Sequence, residues 1–243
     1  MSATAASNSR RPADFQTTRW TRICLAKSDS PEGRLALGEL CAADYEPVVA
    51  CLHSTLRDPD AARETAHAFF AQVLAGGKIT HAEEARGRFR HYLLGAVKHF
   101  IAHQRESASR LRRGAGATHD SLDAEDAPEL AATDHSSPAL EFDRQWAITV
   151  VHRAMEALQL ECVLAGKSLL FEKVEPVIHG DADPGYLAKT AAEIEMTEGA
   201  LRVALHRLRQ QFRQCVKAEI AQTLHDPAAI EDEMQSLFIA LGG

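Results

Sequence analysis

The chain has 243 residues, 45% of them apolar and 25% charged, a balance that excludes a disordered chain and leaves room for one large domain or two small ones. Aromatics are sparse and β-branched runs almost absent, so the expected fold class is all-α. No apolar run approaches the length of a membrane span, and the opening residues lack the apolar core of a signal peptide, so the expected location is cytoplasmic, with no membrane partner.

The net charge of −7 speaks against nucleic acid at first, but the charge is segregated. Arg86 to Arg113 holds eight Lys or Arg against Glu106 alone, and Asp120 to Arg144 reverses this with eight acids and one base. Glu198 to Lys217 carries five bases and one acid, and the remainder has five acids and neither Lys nor Arg. A phosphate backbone responds to the local field, so two basic blocks keep DNA among the partners. Cys24, Cys41, Cys51, Cys162 and Cys215 are scattered without CxxC spacing, which fits reduced, mostly buried thiols and no disulfide framework.

In chain order, residues 1–14 are small and polar and are expected to be disordered. Phe15, Trp20, Ile23 and Cys24 suit a short helix. From Arg34 to His53 the residues Leu37, Leu40, Cys41, Tyr45, Val48, Val49 and Leu52 trace a helical face, with a kink expected at Pro47. Asp58-Pro59 starts a second helix through Ala62, Ala66, Phe69, Phe70, Val73 and Leu74, stopped at Gly76-Gly77. A third helix, Arg86 to Gln104, buries Phe89, Tyr92, Leu93, Val97, Phe100 and Ile101, and its other face carries Arg90, His91, Lys98, His99 and His103. These helices define a first domain over residues 15–110.

Residues 111–137 are rich in Gly, Ala, Ser and acids without apolar periodicity, the pattern of a flexible linker. Ser137-Pro138 begins a helix with Phe142, Trp146, Val150, Ala154, Ala157 and Leu158 at helical spacing, and Gly166 interrupts it before a short helix that ends at Gly180. Tyr186 to Arg213 reads as two helices joined by a tight turn. The second has an apolar stripe of Leu201, Ala204, Leu205, Leu208, Phe212 and Cys215. Its opposite face shows Arg202, Val203, His206, Arg207, Arg209, Gln210 and Arg213, the shape that enters a major groove or, equally, an ordinary amphipathic helix with solvated arginines. The second domain covers residues 138–217. In the acidic extension over 218–243, a helix after Asp226-Pro227 turns Ile230, Met234, Leu237, Phe238 and Leu241 inward and exposes Glu231, Asp232 and Glu233.

This order of parts resembles the extracytoplasmic-function (ECF) group of bacterial RNA polymerase sigma factors, of the sigma-70 family. FQTTRWT near the start, GRFRHYLLGAVKHFIAHQ (87–104), MTEGALRVALHRLRQQFR (196–213) and AEIAQTLHDPAAIEDEMQSLF (218–238) are similar to the planctomycete-type subgroup. The resemblance implies a sigma region 2-like first domain that binds the polymerase clamp and reads the minus-10 element. Clamp contacts fall on Glu64, His67 and Phe70. Minus-10 contacts fall on Arg88, Arg90, Tyr92, Lys98, His99 and Arg105, with Tyr92 stacking on an opened base or, by its spacing, sitting in the core. It implies a region 4-like helix-turn-helix that reads the minus-35 element through Thr197, Arg202, Val203, His206 and Arg207. Partners would be RNA polymerase core and promoter DNA, with an anti-sigma factor or the acidic C-terminal segment as regulator, the latter masking the recognition helix.

Two departures stand out. The clamp-binding helix of the family is acid-rich, whereas AARETAHAFF (61–70) has Glu64 as its one acid, with Arg63 of opposite sign and His67 where glutamine is usual. The turn usually has glycine where Glu195 stands. No catalytic constellation is apparent: His99 and His103 have i, i+4 spacing without a third ligand, and GxGxxG, Walker A and GxSxG patterns are absent. The expectation is a non-enzyme without cofactor or metal. The rival functions are a helix-turn-helix regulator acting without polymerase core, and a diverged sigma-like protein-binding module.

Overall fold

The computed structural model describes residues 26, 28, 30–75, 89–112, 137–224 and 226–242. The expectations for residues 1–14, for the helix from Phe15 to Cys24, for the stop at Gly76-Gly77 and for most of the 111–137 linker lie outside them. All regular structure among the described residues is helical, in eight α-helices and two 3-10 turns.

Helix α1 (Pro31–Leu56) starts on a proline, and the Ser30 hydroxyl accepts from Gly33 N–H at 3.0 Å. It packs against α2 (Pro59–Leu74) and α4 (Pro138–Leu164). Asp58 caps α2 by accepting from the N–H groups of Asp60 and Ala61. Ala62, Ala66, Phe69, Phe70 and Val73 are buried as the spacing predicts, while Leu74, expected inward, is exposed on the last turn. Helix α3 (Phe89–Arg112) buries Phe89, Leu93, Val97, Phe100 and Ile101. It runs beyond the expected end at Gln104 because no glycine or proline follows before Gly114.

Pro47 sits inside α1 and is fully buried. Proline has no N–H, so the carbonyl of Ala43, four residues back, loses its helical donor. Arg153 of α4 donates to that carbonyl at 3.0 Å. A side chain of the second half thus completes a hydrogen bond that the first half cannot make.

Helix α4 is capped by Ser137 and begins at Pro138 as expected. Its 27 residues reach about 40 Å, long enough to serve two cores. Phe142 belongs to the core of α1, α2 and α3, whereas Trp146, Val150, Ala154, Leu158 and Cys162 belong to a second core with the later helices. The helix ends in a Schellman turn: Gly166 has φ +68°, and the N–H groups of Gly166 and Lys167 reach back to the carbonyls of Val163 and Cys162.

Short helix α5 (Ser168–Val174) and the 3-10 turn Glu175–Val177 bury Phe171, Val174 and Val177 in the second core. Helices α6 (Tyr186–Glu193) and α7 (Glu198–Ala221) follow, and α8 (Ile230–Ala240) packs on α4 and α7. The orientation of α8 corrects the sequence expectation. Glu233, expected exposed, has 0% exposure, while Phe238 and Leu241, expected inward, are 52% and 43% exposed. The buried set is Glu233, Met234 and Leu237, a face rotated so that one carboxylate points inward to an arginine.

Candidate nucleic-acid interface

The turn between α6 and α7 is built by backbone hydrogen bonds. Glu195 takes φ +56°, in the left-handed region that favours glycine. Met196 N–H donates to Ala191 C=O at 2.9 Å and Glu195 N–H to Ala192 C=O at 3.4 Å, again the Schellman pattern. A side chain therefore stands at a position that glycine would fill without strain, at a backbone cost of about 1 kcal/mol. Thr197 then caps α7, its hydroxyl accepting from Ala200 N–H at 3.2 Å. Lys173 of α5 is bonded at 2.8 Å to Glu193 at the end of α6. That hydrogen bond, with the attraction of the opposite charge, holds the Lys173 amine above its ordinary range and the Glu193 carboxyl below its own. The Tyr186 hydroxyl donates to the Lys173 carbonyl at 2.7 Å, so α6 is fixed to α5 at both ends.

Helix α7 buries Leu201, Leu205, Leu208, Cys215, Val216 and Ile220, which turns the opposite face outward. Thr197, Arg202, Val203, His206 and Arg207 are all exposed there, and Val203 is 51% exposed despite being apolar. Gln210 and Arg213 continue the same face. Arg202 is held by Glu198 one turn earlier, with Nε to Oε1 at 3.0 Å. Arg209 does not belong to this face. Its guanidinium turns inward and donates to the carbonyls of Val177 and Gly180, bracing the 3-10 turn.

The residues expected on α3 are dispersed. Arg88 lies outside the described residues. Arg90, expected on the outer face, is 6% exposed. Its Nε donates to Glu233 Oε1 at 2.7 Å, Nη2 approaches Glu233 Oε2 at 3.3 Å and Nη1 donates to Asp143. The guanidinium also lies 4.6 Å from the Trp146 ring centre. A charge is buried only when paired, and here α4 and α8 both supply the partners. Tyr92 is half-buried and packs against the first core with its ring 6.2 Å from that of Phe89. Lys98 and His99 are half-buried, and Arg105 is exposed. Lys98 lies near enough to Cys51 to oppose the upward push of burial on that thiol, which still reaches about 11.

On α2, Glu64 is exposed, Phe70 is buried and His67 is engaged: the Tyr45 hydroxyl and His67 Nε2 are 2.9 Å apart, with the rings stacked at 5.6 Å. Cys41, Tyr45, His67, Phe70, Ala71 and Leu74 line a shallow groove beside them. Sequence reasoning missed Glu233, Asp143, Trp146 and Arg153 as residues joining the two halves. One signal was available: Pro47 within a helical pattern implies a carbonyl needing an outside donor. The partners of Arg90 are distant in sequence, and no periodicity announces them.

No protein-family model, curated protein or solved structure matches the chain. No helix among the described residues is long and apolar enough to cross a membrane.

Proposed function

We propose that the chain is a sigma-type factor that directs RNA polymerase core to promoters and assists initiation, with α6 and α7 as a helix-turn-helix reading the minus-35 element. The observation that carries this proposal is the pairing of a tight Schellman turn with the exposed row Thr197, Arg202, Val203, His206 and Arg207 at the start of α7. The arginine forks suit guanine edges, the exposed valine suits a thymine methyl, and the capped helix start suits a phosphate. The minus-10 element would fall to α3 through Lys98, His99 and Arg105, with Arg90 joining only if its carboxylate partners withdraw. Under this proposal the Glu64, His67 and Phe70 region of α2 meets the polymerase clamp.

A second proposal is favoured by α2 itself. Arg63 pairs with Asp60 at 3.4 Å and His67 is bonded to Tyr45, so this surface offers a partner little free negative charge. That fits a regulator that binds DNA through α7 without polymerase. Fluorescence anisotropy on a duplex carrying a selected site separates the two. A sigma-type factor binds tightly and specifically only with core polymerase present, and specific binding by the chain alone favours the regulator.

A further inference from the structure

Helix α8 touches both candidate DNA-binding helices with neighbouring acids. Glu231 bonds to Lys217 near the end of α7, and Glu233 bonds to Arg90 at the start of α3. The second contact is the buried one. Both carboxylate oxygens of Glu233 face the Nε and Nη2 edge of the guanidinium, the two-pronged arrangement in which an arginine also receives a phosphate.

We propose that α8 is an intramolecular latch in which Glu233 occupies the anion site of Arg90 that a nucleic-acid phosphate takes when the two halves part. The inference rests on the DNA-binding proposal above and names its regulation. It differs from masking of the recognition face, because Arg202, Val203, His206 and Arg207 remain exposed while α8 is docked. The locked element is α3.

The attachment of α8 is suited to release. The helix has 11 residues, its N-cap position is Ala229, which supplies no side-chain cap, and Met234 and Leu237 are its buried apolar residues. Phe238 and Ile239 are 52% and 64% exposed, so much of its apolar surface adds nothing to docking. A helix this short is marginal on its own and depends on tertiary contacts to persist. An ion pair buried at a junction also stabilises less than well-packed apolar residues would, yet breaking it from one side is costly, so it suits a contact made or lost as a unit. Asp143 and Trp146, both on α4, keep Arg90 satisfied on its other edge and make the site a three-helix junction.

The test uses the full chain and Glu233→Gln, with hydrogen exchange of the α8 amides and binding of a mixed-sequence oligonucleotide duplex across salt concentrations. Removing the charge should raise α8 exchange by about tenfold. It should also tighten binding and steepen the salt dependence by about one phosphate contact. The double variant Arg90→Gln/Glu233→Gln should keep the fast exchange and lose the extra salt dependence. Unchanged exchange in Glu233→Gln, with the wild-type chain binding DNA, overturns the latch and leaves the DNA-binding proposal standing. Faster exchange with no DNA binding by either protein, with or without core polymerase, keeps Glu233 as the contact that docks α8 but overturns both the phosphate site on Arg90 and the DNA-binding proposal. If circular dichroism shows that Glu233→Gln does not fold, α8 exchange in the wild-type chain with and without the duplex decides: acceleration by DNA supports competition for Arg90, and no change overturns it.

Discussion

The hydrogen bond from Arg153 to the Ala43 carbonyl can be tested by a double-mutant cycle, because its need is created by one residue, Pro47. Arg153→Met keeps the apolar stem and removes the donors. The carbonyl is part-buried, so its loss of partner should cost about 1–2 kcal/mol, the lower part of the range for an unsatisfied group. In the Pro47→Ala background residue 47 regains an N–H, which can close the ordinary helical bond to the same carbonyl. Arg153→Met should then cost less by about 1 kcal/mol. Pro47 is fully buried, so Pro47→Ala has its own packing cost, but that cost cancels in the cycle. Urea denaturation of the four proteins, followed by helical circular dichroism, measures the coupling. Equal losses in both backgrounds, within about 0.3 kcal/mol, would refute the argument that Arg153 serves the carbonyl freed by proline.

Glu195→Gly and Glu195→Ala together isolate the strained turn. Both remove the charge, and only glycine relieves the positive φ, so the glycine variant should be more stable than the alanine one by about 1 kcal/mol, or about 2–4 °C in Tm; an alanine variant as stable as the glycine one would show an unstrained turn. Burial pushes the thiols of Cys41, Cys51 and Cys215 up from the ordinary 9.0 to about 11. Between those values the folded chain holds protons that the unfolded chain has released, so stability should be intact below about 9 and fall as pH rises towards 11. Urea midpoints that stay level across this window would contradict it. Arg207→Ala should cost about 1–3 kcal/mol on the selected DNA site, and an equal loss on random duplex would make Arg207 a phosphate contact.

Local chemistry made much of the helical framework legible. Ser137-Pro138, Asp58-Pro59 and Gly166 mark helix ends through caps and positive φ, and these signals act within a few residues. The α7 stripe was equally readable, since a helix with apolar residues three and four apart has one way to bury them. His91 and His103 on α3 and Glu231 and Asp232 on α8 are exposed as expected, and what failed was Arg90, Glu233 and the outward turn of Phe238 and Leu241. Arg90 and Glu233 each look like a solvated residue on its own helix, and each is buried because the other meets it across 143 positions of sequence. Phe142 is buried as its spacing indicates, but the core it joins was hidden for a related reason: the first turns of α4 face the core of α1 to α3. Pairing of distant charges leaves no periodic trace, so the junction of the halves emerges only in three dimensions.

The proposed function is promoter-directed initiation through two elements. Run-off transcription with bacterial core polymerase, on a library with randomised sequence upstream of a fixed reporter, tests it most directly. Transcripts that depend on the chain are expected from templates sharing two short elements at constant spacing, with the upstream element changed by Arg207→Ala. No chain-dependent transcript with active core, alongside specific DNA binding by the chain alone, would contradict it.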